Sequence, residues 1–236
     1  MSSDSKRLTA PKSWPIPRKT SVWITGTNPG AHPKAMSMSL MVVIRDMLHL
    51  CDTYAEGKKI LNERKVLVDG KVVTEPRFAV GLMDVVSIPQ VNQHYRMLVD
   101  RNGKLRLVSV ADGKEKWKLC RIDGKTTIAG GKTQLNLHDG RCLIVAKDAY
   151  KCGDVLKIEL PSQKIIEAYK LAKGSMAIIT SGSHVGEMDT IEEYLVTRSS
   201  APNLVKMKDG ILTVKDNIFV VGAKSPEITM PEASAV

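Results

Sequence analysis

Aromatic side chains are scarce in this 236-residue chain, where two Phe, five Tyr and three Trp amount to 4%. A ring-walled pocket for a large planar cofactor is therefore not expected, and no cofactor or small-molecule substrate is assigned. Long apolar runs are missing too. The longest, Leu40 to Ile44, stops at Arg45, far short of the roughly 20 residues that cross a bilayer, so no membrane partner is expected. The four cysteines (Cys51, Cys120, Cys142, Cys152) form no Cys-x-x-Cys pair and no close cluster with the five histidines, which leaves metal binding without support. The first 18 residues are polar and proline-rich, without the apolar stretch of a secretory signal. A cytoplasmic location with reduced thiols is the expectation.

Acidic side chains are the other shortage. Thirty-five Lys and Arg face 25 Asp and Glu, a formal charge of +10. The excess is patterned. Residues 1–40 hold six basic side chains and one acidic, 41–95 seven of each, 96–170 sixteen against nine, and 171–236 six against eight. Two basic stretches around a neutral one point to a polyanionic partner, with nucleic acid the leading candidate.

Residues 1–37 carry Pro11, Pro15, Pro17, Pro29 and Pro33 and no apolar period, so an extended arm is expected. Trp14 and Trp23 lie among Lys12, Arg18, Lys19 and Lys34. Such rings either stack on bases while the cations meet phosphates or dock the arm on the protein's own body. From Leu40 the apolar residues Leu40, Val43, Ile44, Met47, Leu48 and Cys51 follow helical spacing. Thr53 with Glu56 forms a capping box for a second helix running to about Arg64, with Gly57 as a weak point and Lys58, Lys59, Arg64 and Lys65 near its outer face and end. Val66–Val68, Asp69-Gly70 and Lys71–Val73 read as a hairpin with a two-residue turn, followed by a short strand at Asp84–Ile88. Residues 38–92 thus form two helices and a small sheet.

Beyond Gln90 the period is two. Turn signals recur at Asn102-Gly103, Asp112-Gly113, Asp123-Gly124, Gly130-Gly131, Asp139-Gly140 and Gly153-Asp154, which predicts short antiparallel strands in a barrel or sandwich over 93–172. Its exposed positions are expected to include Lys104, Arg106, Lys114, Lys116, Lys118 and Arg121. Residues 163–173 fit strand better than helix. A second β pattern over 173–223 suggests a small SH3-like barrel, and 224–236 a loose tail. The fold class is therefore multidomain α+β.

Catalytic chemistry finds no foothold. Gly124-Lys125-Thr126 and Gly131-Lys132-Thr133 end like phosphate loops, but the required upstream glycine is replaced by Leu119 and Thr126. His138-Asp139 opens a turn, and Ser183-His184 has no orienting third group.

Several segments resemble one family. Lys6-Arg7-Leu8-Thr9-Ala10-Pro11-Lys12-Ser13-Trp14-Pro15, Val22–Thr25 and Asn28–Pro33 are similar to the N-terminal extension of the S4e family of small-subunit ribosomal proteins. Glu56 to Val72 resembles its S4-like RNA-binding domain, Gly130 to Arg141 its central β domain, and Gly174–Ile191 with Asn217–Gly222 its C-terminal KOW barrel. The resemblance runs in order from about residue 5 to 224. It implies a non-enzymatic ribosomal component, of archaeal type by its short end, whose partners are small-subunit rRNA and neighbouring ribosomal proteins. RNA contact is carried onto the arm (Lys6, Arg7, Lys12, Trp14, Arg18, Lys19, Lys34) and onto Lys58, Lys59, Arg64, Lys65 and Lys71. Lys104, Arg106, Lys116, Lys118, Arg121, Lys132 and Arg141 extend the candidate set through the central β domain. The KOW loop departs from the family pattern, with Glu187 after Gly186 and Asp189 where a second glycine is usual. Competing readings are a pseudouridine-synthase-like enzyme carrying an S4-like domain, for which Gly140-Arg141-Cys142 is the nearest motif fragment, and a free KOW-bearing factor.

Overall fold

The structure, a computed structural model, describes residues 4–146 and 148–230. They form two compact units, one within residues 1–98, 104–118 and 160–162, the other within 99–103, 119–159 and 163–236.

In the first unit, β1 (Asp4–Lys6) pairs antiparallel with β2 (Trp23–Thr25), and β3 (Ser37–Ser39) is followed directly by α1 (Leu40–Val42). The apolar run behaves differently from the expected amphipathic helix. Leu40 to Ile44 are all fully buried, so this segment is enclosed on every side. After α1 the chain widens into a π turn over Val43–Met47, with Leu48 N–H donating to Val43 O at 3.0 Å, and His49 at φ 51 stops it. The second helix, α2 (Tyr54–Asn62), starts on the expected box. Glu56 N–H donates to Thr53 Oγ1 at 3.3 Å, and Glu56 Oε2 accepts from Thr53 N–H at 3.2 Å. The Asp52 N–H, which also donates to Glu56 Oε2 at 3.1 Å, and the Thr53 N–H hold the Glu56 carboxyl below its ordinary value. Gly57 is not a weak point but a fit: a Cβ there would lie 2.6 Å from the Met41 sulfur.

The hairpin of β4 (Leu67–Val68) and β5 (Lys71–Val72) pairs Val68 with Lys71, and Asp69 and Gly70 both have positive φ (52° and 74°), the two-residue turn that matches strand twist. β6 (Ala79–Gly81) pairs with β3, while β7 (Val85–Ile88), β8 (Gln93–Val99) and β9 (Leu105–Ser109) complete a sheet ordered β5-β4-β7-β8-β9. The chain therefore does not leave this sheet at residue 92, because β8 continues the ladder of β7, Val85 facing Arg96 and Ile88 facing Gln93.

A buried ion cluster closes the unit. Lys118 was expected at the surface, yet its side chain is 0% exposed. Its Nζ donates to Asp69 Oδ2 at 2.7 Å and Asp84 Oδ1 at 2.8 Å. Those carboxylates also accept from Val85 N–H and Gly81 N–H, each at 2.9 Å, and His32 Nε2 lies 3.0 Å from Asp84 Oδ2. Nearby, the Arg96 guanidinium lies 4.3 Å from the centre of the Trp117 ring and donates to the carbonyls of Lys114 and Trp117. Burial pulls its pKa to about 10 against the opposing pull of Asp69. Desolvation is the largest influence on Asp84 and acts upward, but Lys118 and His32 more than offset it and hold the carboxyl well below its usual range.

The second unit holds two five-stranded sheets. β10 (Trp117–Ile128), β11 (Lys132–Leu137), β12 (Cys142–Val145), β13 (Val155–Glu159) and β14 (Ile165–Tyr169) follow the order β12-β11-β10-β13-β14. Cys120, Ile122, Leu135, Leu137, Leu156 and Ile158 form its core. Asp123-Gly124 is not a turn. β10 runs through it with a bulge between Ile122 and Gly124, since its pairing with β11 extends to Ile128 facing Lys132. The segment after Gln163 is strand, as its sequence suggests. The other sheet contains β15 (Met176–Ile179), β16 (Met188–Leu195), β17 (Leu204–Met207), β18 (Leu212–Val214) and β19 (Ile218–Gly222), ordered β18-β17-β16-β15-β19. The expected loose tail is anchored at its start: Ile228 is buried and Glu227 meets Lys157 Nζ at 2.8 Å. The remainder, 231–236, lies outside the described residues.

These contacts have measurable consequences. Lys118→Met leaves two buried carboxylates without their ammonium and should lower stability to urea unfolding by about 3–5 kcal/mol. Because the folded Asp84 pKa is depressed, its contribution is complete above the ordinary carboxyl value of 3.8. That contribution is lost progressively as pH falls below this value, and Asp84→Asn should flatten this acid-side slope. In the second unit, a Cβ on Gly186 (φ 79) would lie 2.6 Å from backbone atoms of Asp100 and Arg101, whereas one on Gly130 (φ 80) meets open space. Gly186→Ala should thus destabilise by about 2–4 kcal/mol through strain plus overlap, and Gly130→Ala by about 1 through strain alone, as measured by denaturant midpoints.

Candidate nucleic-acid interface

The fold sorts the basic side chains into two populations. Several of the candidate contacts are structural. Trp14 is 2% exposed and its Nε1–H donates to Ser37 O at 2.7 Å, so this ring docks the arm on the protein's own body. Arg7 is buried, donating from Nε to Pro17 O at 2.6 Å and from Nη1 to Ser21 Oγ at 3.3 Å, with Asp46 3.7 Å from Nη2. Lys118 belongs to the buried cluster. These three are withdrawn from the contact set, because each polar group is already enclosed by protein acceptors.

Other candidates are partly committed. Arg18 Nη1 and Nη2 donate to the carbonyls of Leu8, Ala10 and Pro11. Arg121 donates from Nε to Asp123 and from Nη1 to the carbonyls of Asp216 and Ile218. Arg141 Nε lies 3.2 Å from the buried Asp139, and Lys65 is paired with Glu63, which holds that carboxyl below its ordinary value. Arg106 and Lys104 are half-buried.

The remaining cations face outward. In the first unit these are Lys6, Lys12, Lys19, Lys34, Lys58, Lys59, Lys71 and Lys116; in the second, Lys132 sits at the β10–β11 hairpin. The arrangement around α2 is the most ordered. Gly57 and Leu61 face inward, leaving Lys58 and Lys59 exposed one position further round. Arg64 follows at φ 58, its N–H bonded to Leu61 O at 3.0 Å. Lys71 stands on β5 just past the Asp69-Gly70 turn. Among the described residues no hydrogen bond or ion pair engages the side chains of Lys58, Arg64 or Lys71. Arg64 occupies the left-handed position that ends a helix, where glycine is the relaxed choice, while its cation favours the negative end of the helix dipole.

Sequence reasoning missed one cluster. Ligand-type atoms of Cys120, His138 and Asp139 lie within 4.8 Å of one another, brought together by the β10–β11 pairing across 18 positions. They are already engaged in internal contacts. His138 Nδ1 accepts from Arg121 N–H at 3.2 Å and its ring meets Phe219 edge-on at 5.3 Å. Asp139 is held by Arg141 and lies 3.5 Å from Cys120 Sγ.

An α2–hairpin unit with outward cations is the architecture of an RNA-binding module, and residues 38–86 match the S4 domain profile. Residues 3–35 match the RS4NT (NUC023) domain and 91–165 the profile "Ribosomal family S4e". The small ribosomal subunit protein eS4 of Methanocella arvoryzae is 44% identical over 226 residues, covering 94% of this chain and 95% of its own. That of Methanothermobacter thermautotrophicus is 42% identical, covering 96% and 95%. The crystal structure of the 30S ribosomal protein S4e from Thermoplasma acidophilum superposes with a TM-score of 0.71 at 38% identity, covering 80% of this chain and 96% of that one. The chain belongs to the S4e family of ribosomal proteins.

Arg64→Gly relieves the left-handed backbone and removes a favourable dipole contact of similar size, so thermal stability should stay within about 1 kcal/mol of wild type in a melting experiment. A larger loss would mean that this side chain holds the fold.

Proposed function

We propose that this protein is a non-catalytic constituent of the small ribosomal subunit that grips folded rRNA, with neighbouring ribosomal proteins as further partners in the cytoplasm. The observation that carries the reading is the outward display of Lys58, Lys59, Arg64 and Lys71 around the end of α2 and the adjoining hairpin. Cations on an ordered helix end and beside a short turn suit phosphates and 2′-hydroxyls of structured RNA, whose deep groove hides the bases. Shape and charge are read before sequence. Lys12, Lys19, Lys34 and Lys116 add contacts from the same unit, and Lys132 adds one from the other.

The C-terminal sheet contributes little to this grip. Glu187 is paired with His184 at 3.1 Å and Asp189 accepts from Thr190 and Asp209 N–H groups, so the loop expected to carry KOW-type contacts is acidic and internally bonded. An S4-bearing RNA-modifying enzyme is disfavoured by the engaged state of His138, Asp139 and Arg141.

Binding to a small-subunit rRNA transcript should weaken steeply with salt. Replacing Lys58, Lys59, Arg64 and Lys71 together by Ala should reduce the log–log salt slope by about 3, at roughly 0.7–0.9 per lost phosphate contact. An unchanged slope in filter binding would remove this surface from the interface.

A further inference from the structure

Resting on that reading, we propose that Trp23 is a stacking platform for an unpaired base of the bound RNA. Each of the three tryptophans has a distinct environment. Trp14 is sealed against Ser37 and Trp117 lies beneath Arg96, but Trp23 is 56% exposed. A large apolar ring left in water calls for an explanation.

The ring sits on a fixed support. In β2 the residues after Trp23, Ile24 and Thr25, are buried, so the strand is anchored while the indole stands out. Arg7 ties β1 from below through Pro17, Ser21 and Asp46. Arg18 ties the neighbouring turn through the carbonyls of Leu8, Ala10 and Pro11. Leu8 and Val22 beside it are also exposed, at 66% and 64%. The backbone that carries the ring is thus already ordered, which lowers the cost of ordering on binding.

Charge selects the occupant. Lys6 is the direct cross-strand partner of Trp23, and paired residues of an antiparallel ladder share a face. An ammonium beside an open indole fits a nucleotide, base on the ring and phosphate on the cation. Lys12 and Lys19 are exposed on the same arm, and Asp4, two pairs further along opposite Thr25, is the arm's single carboxylate. A protein surface seated here would have to bury Lys6 or supply its own acidic partner.

The test uses the full chain, small-subunit rRNA and a blunt, fully paired RNA duplex. Acrylamide should quench chiefly Trp23, and Trp23→Phe should abolish that quenchable fraction. Bound rRNA should shield Trp23, whereas the duplex should not. Trp23→Ala should weaken rRNA binding about tenfold or more, Trp23→Phe should retain most of it, and Trp23→Leu, apolar without a π face, should resemble Trp23→Ala. The proposal is overturned if rRNA leaves Trp23 fully quenchable with Trp23→Ala binding unimpaired, or if Trp23→Leu binds as well as Trp23→Phe, which would mark a general apolar contact suited to a protein neighbour. A wild-type chain indifferent to rRNA would instead defeat the ribosomal reading itself, so the two failures are separable.

Discussion

The first unit depends on an ammonium held by two carboxylates away from water. Lys118 stands at the start of β10, Asp69 in the hairpin turn, Asp84 before β7, and His32 comes from the arm. These residues are scattered over 86 positions of sequence, and each loses its solvation on burial. Desolvation of that size is recovered only when every partner is in place, so partly correct arrangements of arm, turn and strand are penalised heavily. The cluster acts as a register mark. It ties the arm, the hairpin turn, the residue before β7 and Lys118 to one another although the sequence divides them into separate segments.

A second regularity concerns which cation does which job. Arg7, Arg18, Arg96, Arg121 and Arg141 each hold acceptors inside the protein, often two carbonyls at once. The outward positions belong mostly to lysine. A planar guanidinium offers several donors in a fixed fork and suits multiple fixed acceptors, while an ammonium is a mobile, strongly hydrated point charge. Thus the net charge of +10 is expressed largely through flexible side chains on a surface whose shape the arginines maintain. Arg64, Arg101 and Arg198 are the exceptions that face outward among the described residues.

How much of this was legible in sequence depended on the distance between the residues involved. The capping box of Thr53 and Glu56 and the Asp69-Gly70 turn use local hydrogen bonds and backbone angles, and both formed as expected. Lys118 looked like any lysine on a basic strand, because nothing nearby signals that two distant aspartates will enclose it. Trp14 and Trp23 are indistinguishable by neighbouring charge. Ser37 O selects one for burial, and the strand alternation at Ile24 turns the other outward. Asp123-Gly124 reads as a turn only until the pairing of β10 with β11 is known. The candidate site shared the same limit. The outward placement of Lys58, Lys59 and Lys71 is readable from helix and hairpin geometry, whereas the burial of Arg7 and Lys118 depends on long-range partners.

The ring of His32 lies so close over Gly81 that a methyl group there would sit 2.2–2.6 Å from its atoms. The extension is therefore seated on the body through a contact that tolerates no intervening side chain, and Trp14 and Ile24 are buried with it. An arm of this kind is not a random coil awaiting a template. It meets its partner with its conformational entropy already surrendered, so the encounter rate is left to diffusion and electrostatic steering and not to a disorder-to-order transition.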